Sequence, residues 1–183
     1  ARWRLQEGER HLVITDLVQI KRLGEQKRSE NERFRRHLKT YRFVERRLRQ
    51  IAIETEQEIN CLECANCCKV ATARLMERDV EKLAKYLRVP VGRFLRDYTE
   101  ESEEEGLILK RDDKSGCVFL AGNECTVYDA RPGSCQNFPH LTTGPRSLES
   151  RMWEFIDRAC YCPIVYNTLE QWKVETEFSP SAK

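Results

Sequence analysis

Four cysteines fall within eight residues of this chain, in the stretch CLECANCC at 61–68. Two of them, Cys67 and Cys68, are adjacent, and the other two precede them at C-x-x-C spacing. Such spacing is typical of thiolate ligands to metal ions and iron–sulfur clusters, because a tight turn directs sulfurs to the same side. The stretch therefore predicts a metal site, and it requires a fold that brings further ligands to it.

The other cysteines are distributed unevenly along the chain. All nine lie after residue 60, within a chain of 183 residues. Residues 1–60 carry 15 Lys/Arg against 10 Asp/Glu, whereas residues 61–183 carry 17 against 20. This asymmetry predicts a basic helical extension over 1–60, a cysteine-cluster metal-binding domain over 61–165 and a C-terminal tail over 166–183. No apolar run approaches the roughly 18 residues of a membrane span.

The N-terminal extension shows a helical pattern. Residues 25–59 contain neither Gly nor Pro, and Gly24 is expected to break the apolar segment before them. Apolar side chains and one threonine recur at spacings of three and four at Phe34, Leu38, Tyr41, Val44, Leu48, Ile51 and Thr55. This pattern predicts one long helix with an apolar stripe. The stripe either packs on its own domain or docks a protein partner, while nucleic acid is not expected because no binding motif is present.

The remainder of the chain predicts short elements around the cysteines. Amphipathic helices are expected at 76–87 and 90–98, an exposed acidic loop at 100–105, and a final helix at 146–160. Apolar residues that alternate or cluster predict β structure after residue 106, with a turn between Leu120 and Cys125. The predicted fold class is α-rich α+β: a small metal-nucleated domain with a short β-hairpin, preceded by a long N-terminal helix.

The cysteines allow three chemistries. Disulfides suit small secreted domains, but the cysteine number is odd and no export signal is visible after Ala1. Zinc prefers four ligands in a tetrahedron, and eight or nine thiols could form two such sites. Iron–sulfur clusters favour all-thiolate shells, and the triplet spacing and the Cys162-Pro163 pair resemble those of bacterial ferredoxins. The later cysteines are far apart in sequence, so metal binding and folding should be coupled.

These motifs resemble the CxxCxxCC (YkgJ-type) family of zinc- or iron-chelating cysteine-cluster proteins. The family pattern continues with Cys-x-Phe-Leu, Cys-x-Ile-Tyr, Arg-Pro-x-x-Cys and a closing Cys-Pro, all of which have counterparts over about residues 61–163. The resemblance implies that the metal ligands are Cys61, Cys64, Cys67, Cys68, Cys117, Cys125, Cys135 and Cys162, and Cys160 is a further candidate. The first 60 residues lie outside it.

The favoured function is an iron–sulfur protein with one or two clusters, [4Fe–4S] being the expected form. It would transfer electrons or act as a redox or structural subunit of a larger complex, with a protein partner docked on the N-terminal basic helix. The alternatives are a structural zinc-binding interaction module and, because a flagellin lysine methylase carries a similar cysteine block, a component of a protein methyltransferase. No catalytic residue is predicted. The expected location is the cytoplasm or the cytoplasmic face of a membrane complex.

Two charged residues near the later cysteines carry open interpretations. Asp129 and Arg131 either form an ordinary turn salt bridge or orient the metal site or donate hydrogen bonds to sulfur. Tyr128 and Phe119 are expected in the core of the hairpin rather than as redox relays.

Overall fold

A computed structural model describes residues 12–144 and 146–180 of the chain. Within them, residues 12–55 and 148–180 form a first compact unit, and residues 56–144 with 146 and 147 form a second. These bounds differ from the predicted division at residues 60 and 165, and that division stays a prediction. In the described ranges, no helix combines the length and the apolar character that crossing a membrane requires.

In these described residues, the regular structure consists of helices and three small hairpins, which confirms the α-rich α+β fold class. The helices are α1 (Leu17–Gln26), α2 (Arg28–Thr40), α3 (Glu45–Glu58), α4 (Cys61–Cys64), α5 (Asn66–Val70), α6 (Glu77–Leu87), α7 (Val91–Tyr98), α8 (Gly133–Gln136), α9 (Met152–Arg158) and α10 (Pro163–Glu175). The strands are β1 (Thr99–Ser102), β2 (Gly106–Leu109), β3 (Arg111–Asp112), β4 (Gly116–Cys117), β5 (Leu120–Ala121) and β6 (Glu124–Cys125).

The predicted single helix over 25–59 is divided in the structure. Helix α2 ends at Thr40, where Tyr41 adopts an extended backbone (φ −83°, ψ 133°), and α3 begins at Glu45. The apolar stripe is nevertheless buried on both sides of the break, at Phe34, Leu38, Leu48, Ile51 and Thr55. Val44, which lies in the break, is 68% exposed. Periodicity detected the buried face but not the break, because neither Gly nor Pro marks it.

Burial of large apolar side chains holds the first unit together. Trp172 on α10 is fully buried, contacts Phe155 edge to face at 5.9 Å and donates a hydrogen bond from Nε1 to the Leu48 carbonyl at 2.8 Å. Most of α10 is buried, although 166–183 was predicted as a tail. The apolar stripe of α2 and α3 therefore packs within its own unit, as one of the two interpretations expected.

Gly24 lies inside α1 and does not break it. A Cβ atom at this position would lie 2.6 Å from both the Ala159 carbonyl oxygen and the Cys160 Cα. Glycine is therefore required here because the backbone of α1 packs closely against the backbone at Ala159 and Cys160. Glycine within a helix is moderately destabilising, and this helix tolerates it.

The second unit has a smaller apolar core, which lies among α6, α7 and the hairpins. It includes a row of stacked rings, in which Phe94 and Tyr98 are 5.6 Å apart and Tyr98 and Phe119 5.1 Å apart. The predicted helices at 76–87 and 90–98 are confirmed with small shifts of their ends. The predicted turn after Leu120 is also confirmed, since Leu120 pairs with Cys125 across it.

The acidic segment at 100–105 is a hairpin rather than a loop. Strand β1 pairs antiparallel with β2, from Thr99 opposite Leu109 to Ser102 opposite Gly106. Gly106 provides a positive φ of +74° at the turn. Strand β1 is acidic yet stable in this setting because Thr99 and Leu109 are buried at the far end of the hairpin.

Candidate metal centre

The CLECANCC segment forms two short helices with a left-handed residue between them. Ala65 has φ 46° and ψ 14°, so the chain leaves α4 and enters α5 at once. The Asn60 side chain accepts a hydrogen bond from the Leu62 amide at 3.0 Å, which fixes the start of α4. Of the four thiols, Cys61 and Cys64 thus lie on α4, and the adjacent pair lies on α5.

Gly116 allows strand β4 to approach the backbone of α5. It has φ +80°, and a Cβ atom would lie 2.7 Å from the Cys68 carbonyl oxygen and 2.8 Å from the Lys69 Cα. No other residue type fits this approach without displacing one of the two backbones. The next residue is Cys117, which is consequently close enough to Cys68 for their charges to interact.

Two hairpin cysteines receive hydrogen bonds from amides two residues further on. The Phe119 amide donates to Cys117, and the Val127 amide donates to Cys125. Hydrogen bonds of this kind stabilise the thiolate form, and they are among the features that tune metal–sulfur centres. The hairpins therefore hold each of these two sulfurs with a hydrogen-bond donor already beside it.

Six of the nine cysteines line one cavity in the second unit, with a volume of about 300 Å³. They are Cys61, Cys67, Cys68, Cys117, Cys125 and Cys135. Cys64 is not part of this lining but interacts electrostatically with Cys61. Thiols that are up to 74 positions apart in sequence thus face the same space, and all nine cysteines are present as thiols rather than disulfides.

The cavity disfavours most thiolates as long as nothing compensates their charge. Burial raises the pKa of Cys135 to about 12, with further increases from Cys117 and Cys68. Burial also raises the pKa values of Cys117 and Cys125. Cys68 is the exception, because a hydrogen bond from Cys67 lowers its pKa to about 7. A metal cation would reverse this penalty, since a coordinating thiol is deprotonated outright.

The last two predicted ligands lie in the first unit and do not contribute to the lining. Cys160 and Cys162 are both buried there. The Cys160 sulfur accepts a hydrogen bond from Arg28 at 3.2 Å, and burial raises its pKa to about 11. Cys162 immediately precedes Pro163, the first residue of α10. Their assignment as ligands stays a prediction.

Comparison with known proteins identifies the family. The sequence model described as "CxxCxxCC: Putative zinc- or iron-chelating domain" matches residues 60–163. The chain belongs to the CxxCxxCC family. The matched range includes all nine cysteines, which supports the interpretation of the cysteine block as the feature that defines the family.

One curated relative aligns over 125 residues at 30% identity. It is the uncharacterized protein MJ0661 of Methanocaldococcus jannaschii, and the alignment covers 65% of this chain and 63% of the relative. The chain therefore spans less than two thirds of that protein. No solved structure matches the chain.

The donor set of this CxxCxxCC chain fits a thiolate-bound inorganic group, because six thiols line one cavity. Among residues 12–144 and 146–180, no three or more His, Cys, Asp or Glu side chains are arranged to hold one metal ion. Thiolates bind both zinc ions and iron–sulfur clusters, so the donor set is compatible with either.

Positive side chains surround the thiols, and sequence reasoning found only one of them. Arg131 lines the cavity, as anticipated, but forms no salt bridge with Asp129. Tyr128 is 40% exposed and lies against Arg131, so its assignment to the hairpin core was wrong, whereas Phe119 is buried. Lys69 and Arg111 were missed. The strand pairing could have indicated Arg111, since it lies directly opposite Cys117.

Proposed function

We propose that the second unit holds an iron–sulfur cluster, with [4Fe–4S] as its form, and that the chain transfers electrons or serves as a redox subunit of a larger complex. The observation that carries the proposal is the set of six thiols around one cavity, an all-thiolate donor set of the kind that iron–sulfur clusters favour. When bound, such a cluster supplies one-electron chemistry at a potential set by its surroundings.

The proposed ligands are drawn from the seven cysteines of the second unit, of which a [4Fe–4S] cluster uses four. The amides of Phe119 and Val127 support Cys117 and Cys125 as two of them. Cys68 supports the proposal as well, because its lowered pKa favours a thiolate near neutral pH. Three thiols of the second unit remain beyond these four.

The test is metal and sulfide analysis of the full chain after anaerobic purification. We expect iron and acid-labile sulfide in equal amounts, a broad absorbance at about 400 nm and a Mössbauer spectrum typical of a cluster. The variant Cys117→Ser should lose iron, whereas Cys160→Ser should retain it. Cys162→Ser decides whether the first unit contributes a ligand. Colourless protein with bound zinc and no sulfide would contradict the proposal.

Structural zinc is the second candidate, because the family description names zinc alongside iron. In that case four of the seven thiols in the second unit would close around one zinc ion. Zinc would hold the hairpins and short helices together without any redox role. X-ray absorption at the zinc edge would then show four sulfurs at about 2.3 Å.

A further inference from the structure

Arg131 is held at the cavity by contacts of its own backbone. Its carbonyl oxygen accepts hydrogen bonds from Lys82 Nζ and, at 3.0 Å, from Gln136 Nε2. Its amide donates to the Tyr128 carbonyl at 3.3 Å. These contacts use only main-chain atoms of Arg131, so its side chain can be replaced without losing them.

The guanidinium is fixed as well. Its Cζ atom lies 3.5 Å from the centroid of the Tyr128 ring, and its Nε donates to the Tyr128 carbonyl oxygen at 3.0 Å. A cation in this position over an aromatic face is attracted by the ring quadrupole. The same arginine is part of the cavity lining. Its charge is therefore held in a defined place beside the thiols rather than moving freely in solvent.

Arg131 also keeps its charge uncompensated. In the described part of the chain, no carboxylate forms a salt bridge with it, and the neighbouring Asp129 is no exception. The other two cations near the thiols differ from it. Arg111 donates to the Lys69 carbonyl and lies 3.8 Å from the Asp113 carboxylate. Lys69 Nζ donates to the neutral Asn123 at 2.7 Å, and Lys69 is not part of the cavity lining.

Arg131 shares its cavity with thiols from several elements. The same lining includes Cys61 of α4, Cys68 of α5 and Cys125 of β6. The charge of Arg131 therefore lies beside sulfurs that different elements bring to one space.

We propose that Arg131 compensates the negative charge of metal-bound thiolates in this cavity, and so determines how firmly the metal group is held. A metal bound only by thiolates carries a net negative charge, and a partly buried anion needs a nearby cation. Where the metal group is an iron–sulfur cluster, Arg131 also raises the reduction potential of that cluster. This part of the inference rests on the proposed function. Reduction adds a further negative charge, and potentials depend on the net charge around the cluster.

The experiment compares Arg131→Gln with Arg88→Gln. Arg88 is an exposed arginine at the end of α6 in the same unit, outside the cavity lining, so its replacement removes the same charge. Metal release to an excess of chelator is followed for both variants and the unaltered chain. We expect release to be about tenfold faster in Arg131→Gln, which corresponds to about 1.4 kcal/mol, and unchanged in Arg88→Gln.

Two further measurements separate charge from structure. Arg131→Lys retains the charge without the planar stack, so it should recover most of the metal retention. In cluster-loaded protein, Arg131→Gln should lower the reduced-to-oxidised ratio at a fixed potential by up to tenfold, about 59 mV for one electron. Equal rates of metal release from the two Gln variants would overturn the inference. An Arg131→Lys variant that releases metal as fast as Arg131→Gln would overturn it as well. Iron-free wild-type protein would instead overturn the proposed function, and release of zinc would then test Arg131.

Discussion

The two units of this chain contain similar numbers of residues but use different means to stabilise a fold. Of the twelve largest fully buried side chains in the described residues, nine lie in the first unit and three in the second. The second unit instead directs six thiols into a cavity. Apolar burial contributes about 25 cal/mol per Å², so the first unit has the larger hydrophobic stabilisation.

This difference suggests what each unit needs in order to fold. Helices α1–α3, α9 and α10 bury their apolar faces against one another, which requires no ligand. In the second unit, the elements that carry the thiols are short: α4 has four residues, and β4 and β6 have two each. Elements of this length are not stable alone, and a metal group that binds several of them would supply the missing stabilisation.

Metal removal should therefore have the largest effect, and it should act on one unit. After treatment of the full chain with a strong chelator, we expect amide hydrogen exchange to increase throughout much of 56–147. Exchange in α10 should change little, because its protection comes from apolar burial. Mass spectrometry after proteolysis resolves the two regions. Loss of protection in both regions together would show that the comparison is wrong and that the chain folds as one cooperative block.

A truncation in the first core should produce the converse result. Leu169 is 1% exposed on α10, and Leu169→Ala should lower the free energy of unfolding by about 2–5 kcal/mol, since it leaves a cavity. Metal content should not change. Val174→Ala on the same helix is the control, because Val174 is 70% exposed. Thermal unfolding and metal analysis of both variants test this, and a Leu169→Ala protein depleted of metal would refute the separation.

Glycine variants sharpen the comparison within the second unit. Gly116→Ala should destabilise the loaded protein by about 3 kcal/mol and reduce metal content, because it combines backbone strain with a clash against α5. Gly122→Ala is the matched control. Gly122 has φ +64°, but a Cβ atom there would meet no heavy atom within 4 Å, so strain alone should cost about 1 kcal/mol. Equal losses of stability and metal content in both variants would mean that the close approach of β4 to α5 does not contribute to metal binding.

The sequence predicted the convergence of thiols in the second unit better than the architecture of the first. C-x-x-C spacing is a local signal, and the six thiols that line the cavity were all among the predicted ligands. Helix α10 was missed, since nine of its thirteen residues are buried and no amphipathic period distinguishes it. A helix that is buried nearly all round has no polar face for a periodicity argument to detect.

Other misses come from interactions between distant residues. The role of Gly24 depends on Ala159 and Cys160, more than 130 residues later, so its local context suggested only a helix break. The charge environment of the cavity likewise depends on which cations the hairpins bring to it. Such placement follows from tertiary packing, which one sequence without its structure does not specify.

The smallest expected effect concerns a buried charge network in the first unit. Lys173 Nζ lies 2.7 Å from Glu170 and 2.6 Å from Glu30, and Lys27 also pairs with Glu170. Burial alone would raise the pKa of Glu170, but the two lysines outweigh it and the pKa is lowered. Its stabilising contribution is therefore present above the usual carboxyl pKa of about 4.3 and is lost as the pH falls through the lowered value.

Glu170→Gln should consequently destabilise the first unit by about 1.5 kcal/mol at neutral pH, the low end for hydrogen bonds to charged groups. The difference from the unaltered chain should begin to shrink as the pH falls below about 4.3. It should disappear only below the lowered pKa of Glu170, where both proteins lack the carboxylate charge. Glu32→Gln, which removes a carboxylate that is 48% exposed, should have almost no effect. Denaturant unfolding followed by tryptophan fluorescence at several pH values measures these differences. A penalty for Glu170→Gln that persists unchanged in acid would show that the network stabilises through packing rather than charge, and would bring the first unit closer still to a purely apolar core.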